Sequence, residues 1–579
     1  MSNSVVAEGY SVPQEARKVF LENILQNENI LRELPPNIQE YGSKIHFEGV
    51  DEPMIPINWR FAESVSALKA LEGTLLNVLL ERKYGVAPQD ITINTTHASL
   101  FIMSSLLWTI DPNGEQLAAN SNFRSANANA EKLKKYFPSW DRYRQHATIY
   151  RSACANIYKT KDARFFHLHG SLNPDASLDC IGLPHDMEAG TLEETLQLYM
   201  DKISQIDSEE LQKRISDVYH QAGTICYSRE EFNSSDHGKA NAHVGLYEVH
   251  HRPNPTQPPS WWPEIPQTSV RRPLAGLKIL DVTRVIAAPA ITRGLAELGA
   301  SVMRVIGPHL PDYSSLHCDL NWGKWNACLD FRKAEDREAM RALILEADVV
   351  VQGYRPGVLE KYGFGMEDII NMCKDRKRGV IYVRENSYGW NGPWSSRTGW
   401  QPISDACCGI STEFGRAMGN DEPVTPVFPN SDYCTGISGV CGVLQGLLKR
   451  AEVGGSYCVD TALNYYSQWL ANSCGTYPPA VWEKLWNDNG REVFRHYHNM
   501  SYTLPKFIHM LRTNAGTKFF DPEFYEDRES KCIGKVIRTV KPVLQFPEGT
   551  VELGYNIGTR TNGVDQPRWP ENLMTEVVG

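Results

Sequence analysis

The stretch "LKILDVTRVIAAPAITRGLAELGASVMRVI" (277–306) decides the fold. A short β-like apolar run occupies 277–283, apolar residues with helical spacing occupy 290–300, and a second apolar run follows at 301–306. A strand, a helix and a second strand in this order indicate a βαβ unit, in which the two strands pair in parallel.

The same alternation continues towards the carboxyl end. The next predicted elements are a helix at 337–347, a strand at 348–354, a helix at 366–376 and a strand at 379–385. We therefore predict an α/β fold with a Rossmann-like parallel sheet from about 270 to 390. Ligands of such sheets bind beyond the carboxyl ends of the strands. The expected binding loops follow Val282, Ile306, Val351 and Val383.

The composition is that of a globular protein and argues against several classes of partner. With 579 residues the chain is too long for one ordinary domain. A net charge of −10 without a long basic run argues against nucleic acid. No apolar run approaches the ~18 residues that span a bilayer, and no secretory signal is visible. Thirteen cysteines without C-x-x-C pairs favour reduced thiols, so we expect a cytoplasmic protein.

The clearest candidate domain boundary is at residues 251–274, which contain seven prolines in 24 residues. Such density cannot continue a helix or a central strand, so we predict an extended linker. The linker separates an N-terminal half, 1–250, from an α/β domain, 275–475, which is followed by a C-terminal α/β extension, 476–579.

An internal repeat is visible between residues 69–103 and residues 439–470. Both segments have a helical pattern, an "LL(K/E)R" sequence, a turn with glycine, a strand and a second helix. A duplicated structural unit is the favoured interpretation, and coincidence stays open.

Asp432 is the single acid of "PNSDYCTGISGVCGVLQGLLKR" (429–450). In one interpretation it caps a helix, where free N–H groups and the helix dipole keep its carboxylate ionised. In the other it is a nucleophile, since an ionised carboxylate there can attack a thioester carbonyl and form a mixed anhydride. These residues by themselves leave both open.

Four glycines share one face of the same predicted helix. Each costs about 1 kcal/mol of helix stability relative to alanine. A stripe of this kind requires a reason, and the usual one is the close approach of another helix or of a ligand. The glycines are Gly436, Gly439, Gly442 and Gly446.

Other motifs are weak. The histidine pairs in "FRHYHNM" (494–500) and "FHLHG" (166–170) lack a carboxylate or cysteine at ligand spacing, so no metal site is predicted. No G-x-G-x-x-G follows the first strand, which disfavours a nicotinamide dehydrogenase.

Several segments resemble the class III CoA-transferases, also called the CaiB/BaiF family. Residues 273–305 resemble its opening strand–helix–strand, and residues 321–365 include its R-P-G-V-L signature. "GWNGPWSSRTGW" (389–400) is similar to its G-x-x-G-P-x-x-x-R-x-G stretch, and "SDYCTG" matches the D-x-x-T-G that holds the family's aspartate nucleophile. The resemblance implies that Asp432 is the catalytic residue.

The resemblance also implies a set of CoA-binding residues. Arg332, Arg355 and Lys361 would offer charge to the CoA phosphates, and Tyr354 would offer an apolar face to adenine. After the second strand Arg304 is the one cation kept from a more basic family stretch. The full set is Ile286, Ala287, Arg304, Leu329, Asp330, Arg332, Gly353, Tyr354, Arg355 and Lys361.

The activity that the resemblance implies is CoA transfer from an acyl-CoA donor to a carboxylic acid, through an aspartyl anhydride and an aspartyl-CoA thioester. No cofactor beyond the substrate CoA and no metal is expected, and a homodimer is implied. Where the family's racemases carry a G-H-D histidine, this sequence has Trp400, which removes one base and counts against a racemase. A racemase or isomerase, or an inactive CoA-binding protein, stays as the alternative.

The N-terminal half resembles the distal portion of the family without the nucleotide core. In that half the place of Asp432 falls near Glu63 or Ser64. No second site is expected there, and the carboxyl of Glu63 keeps that question open.

Overall fold

The structure is a computed structural model that describes residues 9–119, 128–145, 147–188 and 190–577. The strands of the first half are β1 (Ile45–Glu48), β2 (Ile91–Asn94), β3 (Thr109–Ile110), β4 (Leu117–Ala118), β5 (Asn156–Lys159), β6 (Phe165–His169), β7 (Ala222–Ile225) and β8 (Glu248–Arg252). Those of the second half are β9 (Lys278–Val282), β10 (Ser301–Ile306), β11 (Lys324–Cys328), β12 (Val349–Gln352), β13 (Ile381–Asn386), β14 (Ser456–Ala462), β15 (Tyr525–Ser530), β16 (Lys535–Val540) and β17 (Leu544–Gln545).

The α-helices lie between and around these strands. Those before β9 are Val12–Lys18, Glu28–Leu31, Ile38–Gly42, Phe61–Tyr84, Thr95–Phe101, Ala128–Leu133, Ile149–Ser152, Asp175–Ile181, Leu192–Ile203, Ser208–Lys213, Arg229–Ser234 and Asp236–Asn241. Those after it are Ala287–Glu297, His317–Leu320, Ala334–Glu346, Met366–Met372, Gln401–Cys407, Ile410–Ala417, Asn430–Val453, Leu463–Trp469, Pro479–Asp488, Met500–Met510 and Gly516–Phe519.

The core is a sheet that, in the described residues, has seven strands in the order β11-β10-β9-β12-β13-β14-β8. Strands β9 to β14 pair in parallel, and β8 is the antiparallel edge strand beside β14. Parallel strands with both faces covered read as continuous apolar runs, and Ile279, Leu280 and Val350 are accordingly fully buried. The predicted α/β fold with a parallel-sheet core is confirmed.

The two segments of the internal repeat have the same order of elements. Helix Asn430–Val453, which we call the site helix, leads into β14 and helix Leu463–Trp469. Helix Phe61–Tyr84, the N-terminal long helix, leads into β2 and helix Thr95–Phe101. Each long helix has 24 residues, and the two helices pack against one another.

The glycine stripe of the site helix lies against helix Ala287–Glu297, which follows β9. A Cβ on Gly436 would lie 2.6 Å from the Cβ of Ala290, and a Cβ on Gly439 would overlap Ile291. Of the two predicted reasons for the stripe, the close approach of another helix is therefore confirmed for Gly436 and Gly439.

The proline-rich segment 251–274 packs on the core. It begins inside β8, which spans Glu248–Arg252, so the predicted boundary at residue 250 falls within a strand. Trp262 is buried, and its Nε1–H donates to the carbonyl of Ala275 at 3.0 Å. A tryptophan buries a large apolar area, which holds this segment against the buried core.

Strands of the first predicted range, 1–250, pair with strands of the last, 476–579. Strand β17, from residues 476–579, pairs with β2, and β16 pairs with β3. The division into 1–250, 251–274, 275–475 and 476–579 stays a prediction about folding units. None of the described helices combines the length and apolarity needed to cross a bilayer.

Candidate active site

Asp432 is the third residue of the site helix, which begins at Asn430. The N-cap position is held by Pro429, and no side chain caps the helix there. In the described residues no hydrogen bond reaches the Asp432 carboxyl. The capping interpretation is therefore wrong, because the carboxyl neither occupies the cap position nor binds the free N–H groups.

Two adjoining cavities meet at Asp432. The first, which we call the strand-end cleft, has a volume of about 490 Å³ and is lined at the carboxyl ends of β9, β10, β12 and β13. The second, which we call the apolar chamber, has a volume of about 340 Å³. Ile286, Trp400 and Asp432 line both cavities. A molecule in either cavity can therefore reach the Asp432 carboxyl.

Most of the predicted CoA-binding residues come together in the strand-end cleft. Tyr354 and the cations Arg355 and Lys361 all line this cleft. The predicted residues that line the cleft are Ile286, Ala287, Leu329, Gly353, Tyr354, Arg355 and Lys361.

Arg304 does not reach the cleft, which corrects the expectation that it binds CoA. It lies on β10 with 1% of its surface exposed. Its Nη2 donates to Asp312 Oδ2 at 2.7 Å and to the carbonyl of Thr283 at 3.2 Å. A buried guanidinium needs such a partner, so Arg304 holds the loop after β9 in place.

Asp330 and Arg332 are also outside the set of cleft-lining residues. The guanidinium of Arg332 binds both Asp330 oxygens, Nε to Oδ1 at 2.7 Å and Nη2 to Oδ2 at 2.6 Å. Their neighbours Leu329 and Phe331 line the cleft instead. This bidentate pair uses the Nε and one Nη2 donor of Arg332, and the contact of Arg332 with CoA phosphates stays a prediction.

Three basic residues that the sequence analysis missed line the cleft: Arg284, His309 and Arg397. The Arg284 guanidinium lies 5.1 Å from the centroid of the Tyr354 ring, and it contributes, after burial, to lowering the pKa of Arg355. The sequence positions of Arg284 and Arg397 could have pointed to the cleft. Arg284 directly follows the first strand, and Arg397 is the arginine of the glycine-rich stretch at 389–400.

The environment of Asp432 favours its neutral form. Burial raises the pKa of Asp432 well above its ordinary value, and the carboxyls of Glu385 and Asp405 raise it further. The expectation that the helix dipole keeps the carboxylate ionised is therefore wrong, because loss of water and two neighbouring acids outweigh the dipole.

Glu385, on β13, is the second carboxyl of the cleft. It is 9% exposed, and burial raises the pKa of Glu385 to about 8. Within the described part of the chain, no hydrogen bond reaches its side chain. At neutral pH it is mostly protonated and can donate a proton into the cavity that contains Asp432.

Asp405 orders the residues beside Asp432. Its Oδ1 accepts a hydrogen bond from Ser431 Oγ at 3.0 Å, and its Oδ2 accepts one from the Gln401 amide. Burial raises the pKa of Asp405 to about 7. Because Gln401 lines the apolar chamber, Asp405 fixes the direction of that amide towards the site.

Glu63 is the counterpart of Asp432, since it is the third residue of the N-terminal long helix. It is fully buried and accepts hydrogen bonds from Tyr10 Oη at 2.6 Å and Tyr477 Oη at 3.2 Å. It lines none of the described cavities around Asp432. Two tyrosines thus bind the carboxyl at this position, and the absence of a second site there stays a prediction.

Comparison with known proteins identifies the class. The sequence pattern of the CoA-transferase family III matches residues 274–500. The chain is 50% identical over 574 residues to an acetyl-coenzyme A transferase, nodX, of Hypoxylon pulicicidum, covering 98% of this chain and 95% of that protein. It is 31% identical over 517 residues to an acyl-CoA transferase of Gibberella moniliformis, covering 87% of each.

A human succinyl-CoA:glutarate CoA-transferase is 30% identical over 216 residues, covering 35% of this chain and 48% of that protein. The match to nodX extends over nearly the full length of both chains. This protein therefore belongs to the CoA-transferase family III, as its sequence motifs predict.

Proposed function

We propose that this protein transfers CoA from an acyl-CoA donor to a carboxylic acid, with Asp432 as the nucleophile. The observation that carries the proposal is the position of Asp432, where a cleft lined by arginines and a lysine meets an apolar chamber. Arg284, Arg355 and Lys361 supply charge that suits phosphates. The acyl end of a thioester would then lie at Asp432.

The reaction consists of four displacements at acyl carbons. Ionised Asp432 attacks the donor carbonyl, and CoA leaves as the thiolate, which gives an aspartyl–acyl anhydride. The thiolate attacks the aspartyl carbonyl, forms an aspartyl-CoA thioester and releases the donor acid. The acceptor carboxylate attacks that thioester to form a second anhydride and free the thiolate. The thiolate then takes the acceptor's acyl group and restores the Asp432 carboxylate.

Two features of the chain assist these steps. The first N–H groups of a helix lack acceptors within the helix, so those of Ser431 and Asp432 are donors for oxyanions. Asp432 must lose its proton before it attacks. The negative charge of the free CoA thiolate is stabilised by a nearby proton donor. Glu385, in the same cleft, fits that second task.

The test is a search for the covalent thioester. After incubation with acetyl-CoA, the donor suggested by the name of the nodX relative, mass spectrometry should find CoA on the peptide that contains Asp432. Asp432→Asn should lack both the adduct and the transfer activity. Asp488→Asn, at the exposed end of helix Pro479–Asp488, is the matched control and should retain both.

The alternatives give different results. A racemase would exchange the α-proton in deuterated water without any acceptor acid, with Glu385 as the second carboxyl available in the cleft. An inactive binding protein would retain CoA and give no turnover. The homodimer and the cytoplasmic location stay predictions, and the solution mass relative to the 65.3 kDa chain tests the former.

A further inference from the structure

The walls of the apolar chamber bear on which substrate acid can bind there. Aliphatic and aromatic side chains from four parts of the chain converge there, and they include Leu133, Phe137, Leu316, Val427 and Leu504. The volume of about 340 Å³ lies within the range of about 300–1,000 Å³ for pockets that hold drug-sized ligands. An acetyl group would leave most of this space unfilled.

Positive charge is scarce in the chamber. Among the described residues that line it, Lys134 is the one lysine or arginine, and its Nζ lies 2.5 Å from Glu131 Oε1. Two acids besides Asp432 line the chamber, Asp141 and Asp312, and Asp312 is paired with Arg304. A second carboxylate on the substrate would therefore compete with Glu131 for the single lysine of the described lining.

Three histidines line the chamber: His167, His169 and His498. His169 Nδ1 accepts a hydrogen bond from the Ser171 backbone N–H at 3.0 Å, and burial lowers the pKa of His498. His167 is buried on β6, and burial lowers the pKa of His167 to about 3, with a smaller contribution from His169. Its Nδ1 has no hydrogen-bond partner in the described chain. A neutral ring of this kind can donate to or accept from a single polar group on a substrate.

We infer that the acid whose acyl group occupies the apolar chamber is a monocarboxylate with an extended apolar chain, larger than acetate. This inference rests on the proposed CoA transfer, because the cleft then takes the nucleotide and the chamber takes the acyl group. Apolar chains gain from leaving water for such walls, whereas an unpaired buried carboxylate is strongly disfavoured.

The test uses the wild-type protein with whichever donor forms the CoA adduct on Asp432. The kcat/KM for acceptors should rise about 10-fold or more from acetate to hexanoate and octanoate. Glutarate should be used at least about 10-fold less well than pentanoate, its singly charged counterpart. A flat series, or equal use of glutarate and pentanoate, overturns the inference while the adduct leaves CoA transfer intact. If no donor forms the adduct and no acid accepts CoA, the proposed function and the inference both fail.

A charge added at the chamber tests the electrostatic part. Met500 lines the chamber and is 39% exposed, so Met500→Arg is expected to be tolerated. It should raise the glutarate-to-pentanoate ratio of kcat/KM about 10-fold. Val493→Arg, at a residue 41% exposed that does not line the chamber, should leave the ratio unchanged. An unchanged ratio in a folded Met500→Arg protein contradicts the charge argument.

Discussion

The raised pKa of Glu385 makes the stability of the folded protein depend on pH. The folded protein retains the Glu385 proton up to a pKa of about 8, against an ordinary value of 4.5. Between these values the unfolded chain binds fewer protons than the folded chain. The stability contributed by the neutral group is therefore lost as pH rises through this window.

The first prediction follows from this loss of stability with rising pH. Wild type should lose roughly 2–4 kcal/mol of unfolding free energy to this group between pH 5 and pH 9. Glu385→Gln, which cannot ionise, should show a smaller decline of Tm over the same range, measured by thermal unfolding. Glu338→Gln, at an exposed residue, is the control and should follow wild type. Equal declines in all three proteins would contradict the raised pKa of Glu385.

The second prediction compares an arginine that lines the strand-end cleft with one that does not. Arg397→Ala removes a cation from the strand-end cleft and should raise KM for acyl-CoA about 10-fold with little change in kcat. Arg332→Ala removes a guanidinium that already binds Asp330, and it should change KM about 2-fold or less. Steady-state kinetics on both variants decides. A larger effect at Arg332 would support its predicted contact with CoA.

The position of Asp432 could be predicted from its motif, but its protonation could not. Its pKa depends on Glu385, which is distant in sequence, and on Asp405. The burial of Arg304 could not be predicted either. The sequence does not show which way a strand residue points, and its partner Asp312 lies in a loop.

At the scale of elements, the site helix is held by close contact. Gly436→Ala places a Cβ 2.6 Å from that of Ala290 on a neighbouring helix, and neither helix can shift freely. Overpacking of this kind costs about 1–3 kcal/mol, partly offset by about 1 kcal/mol of helix propensity.

The third prediction is a net loss of about 1–2 kcal/mol for Gly436→Ala in urea unfolding. Gly446→Ala, whose nearest neighbour would be the Ile381 side chain at 3.3 Å, is the matched control and should be close to neutral. The account of the glycine stripe fails if both variants are equally stable.

The strands and helices of the parallel core were predictable because each is a short apolar run or a periodic segment. The strand predicted at 301–306 is β10, and the helix predicted at 337–347 lies within Ala334–Glu346 apart from its last residue. The edge strand β8 was not predicted. Its partner β14 lies about 200 residues away, and proline-rich sequence directly follows it.

At the scale of the whole molecule, a buried charge ties the two halves of the chain together. Asp319 pairs with Arg293 at 3.1 Å and accepts hydrogen bonds from Tyr433 Oη at 2.6 Å and Ser104 Oγ at 2.8 Å. Arg293 precedes the site helix, Tyr433 lies on it, and Ser104 belongs to the N-terminal half.

The fourth prediction is that Asp319→Asn costs about 3–5 kcal/mol, because it leaves the Arg293 charge buried without its partner. Urea unfolding measures the loss. Asp527→Asn breaks the exposed pair with Arg538 and should cost about 1 kcal/mol or less. If Asp319→Asn is as stable as that control, the buried cluster of Asp319, Arg293, Tyr433 and Ser104 does not hold the halves together.

The central claim is that Asp432 carries the acyl group and CoA in turn, and the most direct measurement follows the oxygen atoms. In the proposed reaction, the bridging oxygen of the second anhydride comes from the acceptor acid and stays on Asp432 when the thiolate removes the acyl group. After turnover with ¹⁸O-labelled acceptor, mass spectrometry should find the label in the peptide that contains Asp432. Turnover without label in that peptide would contradict the mechanism.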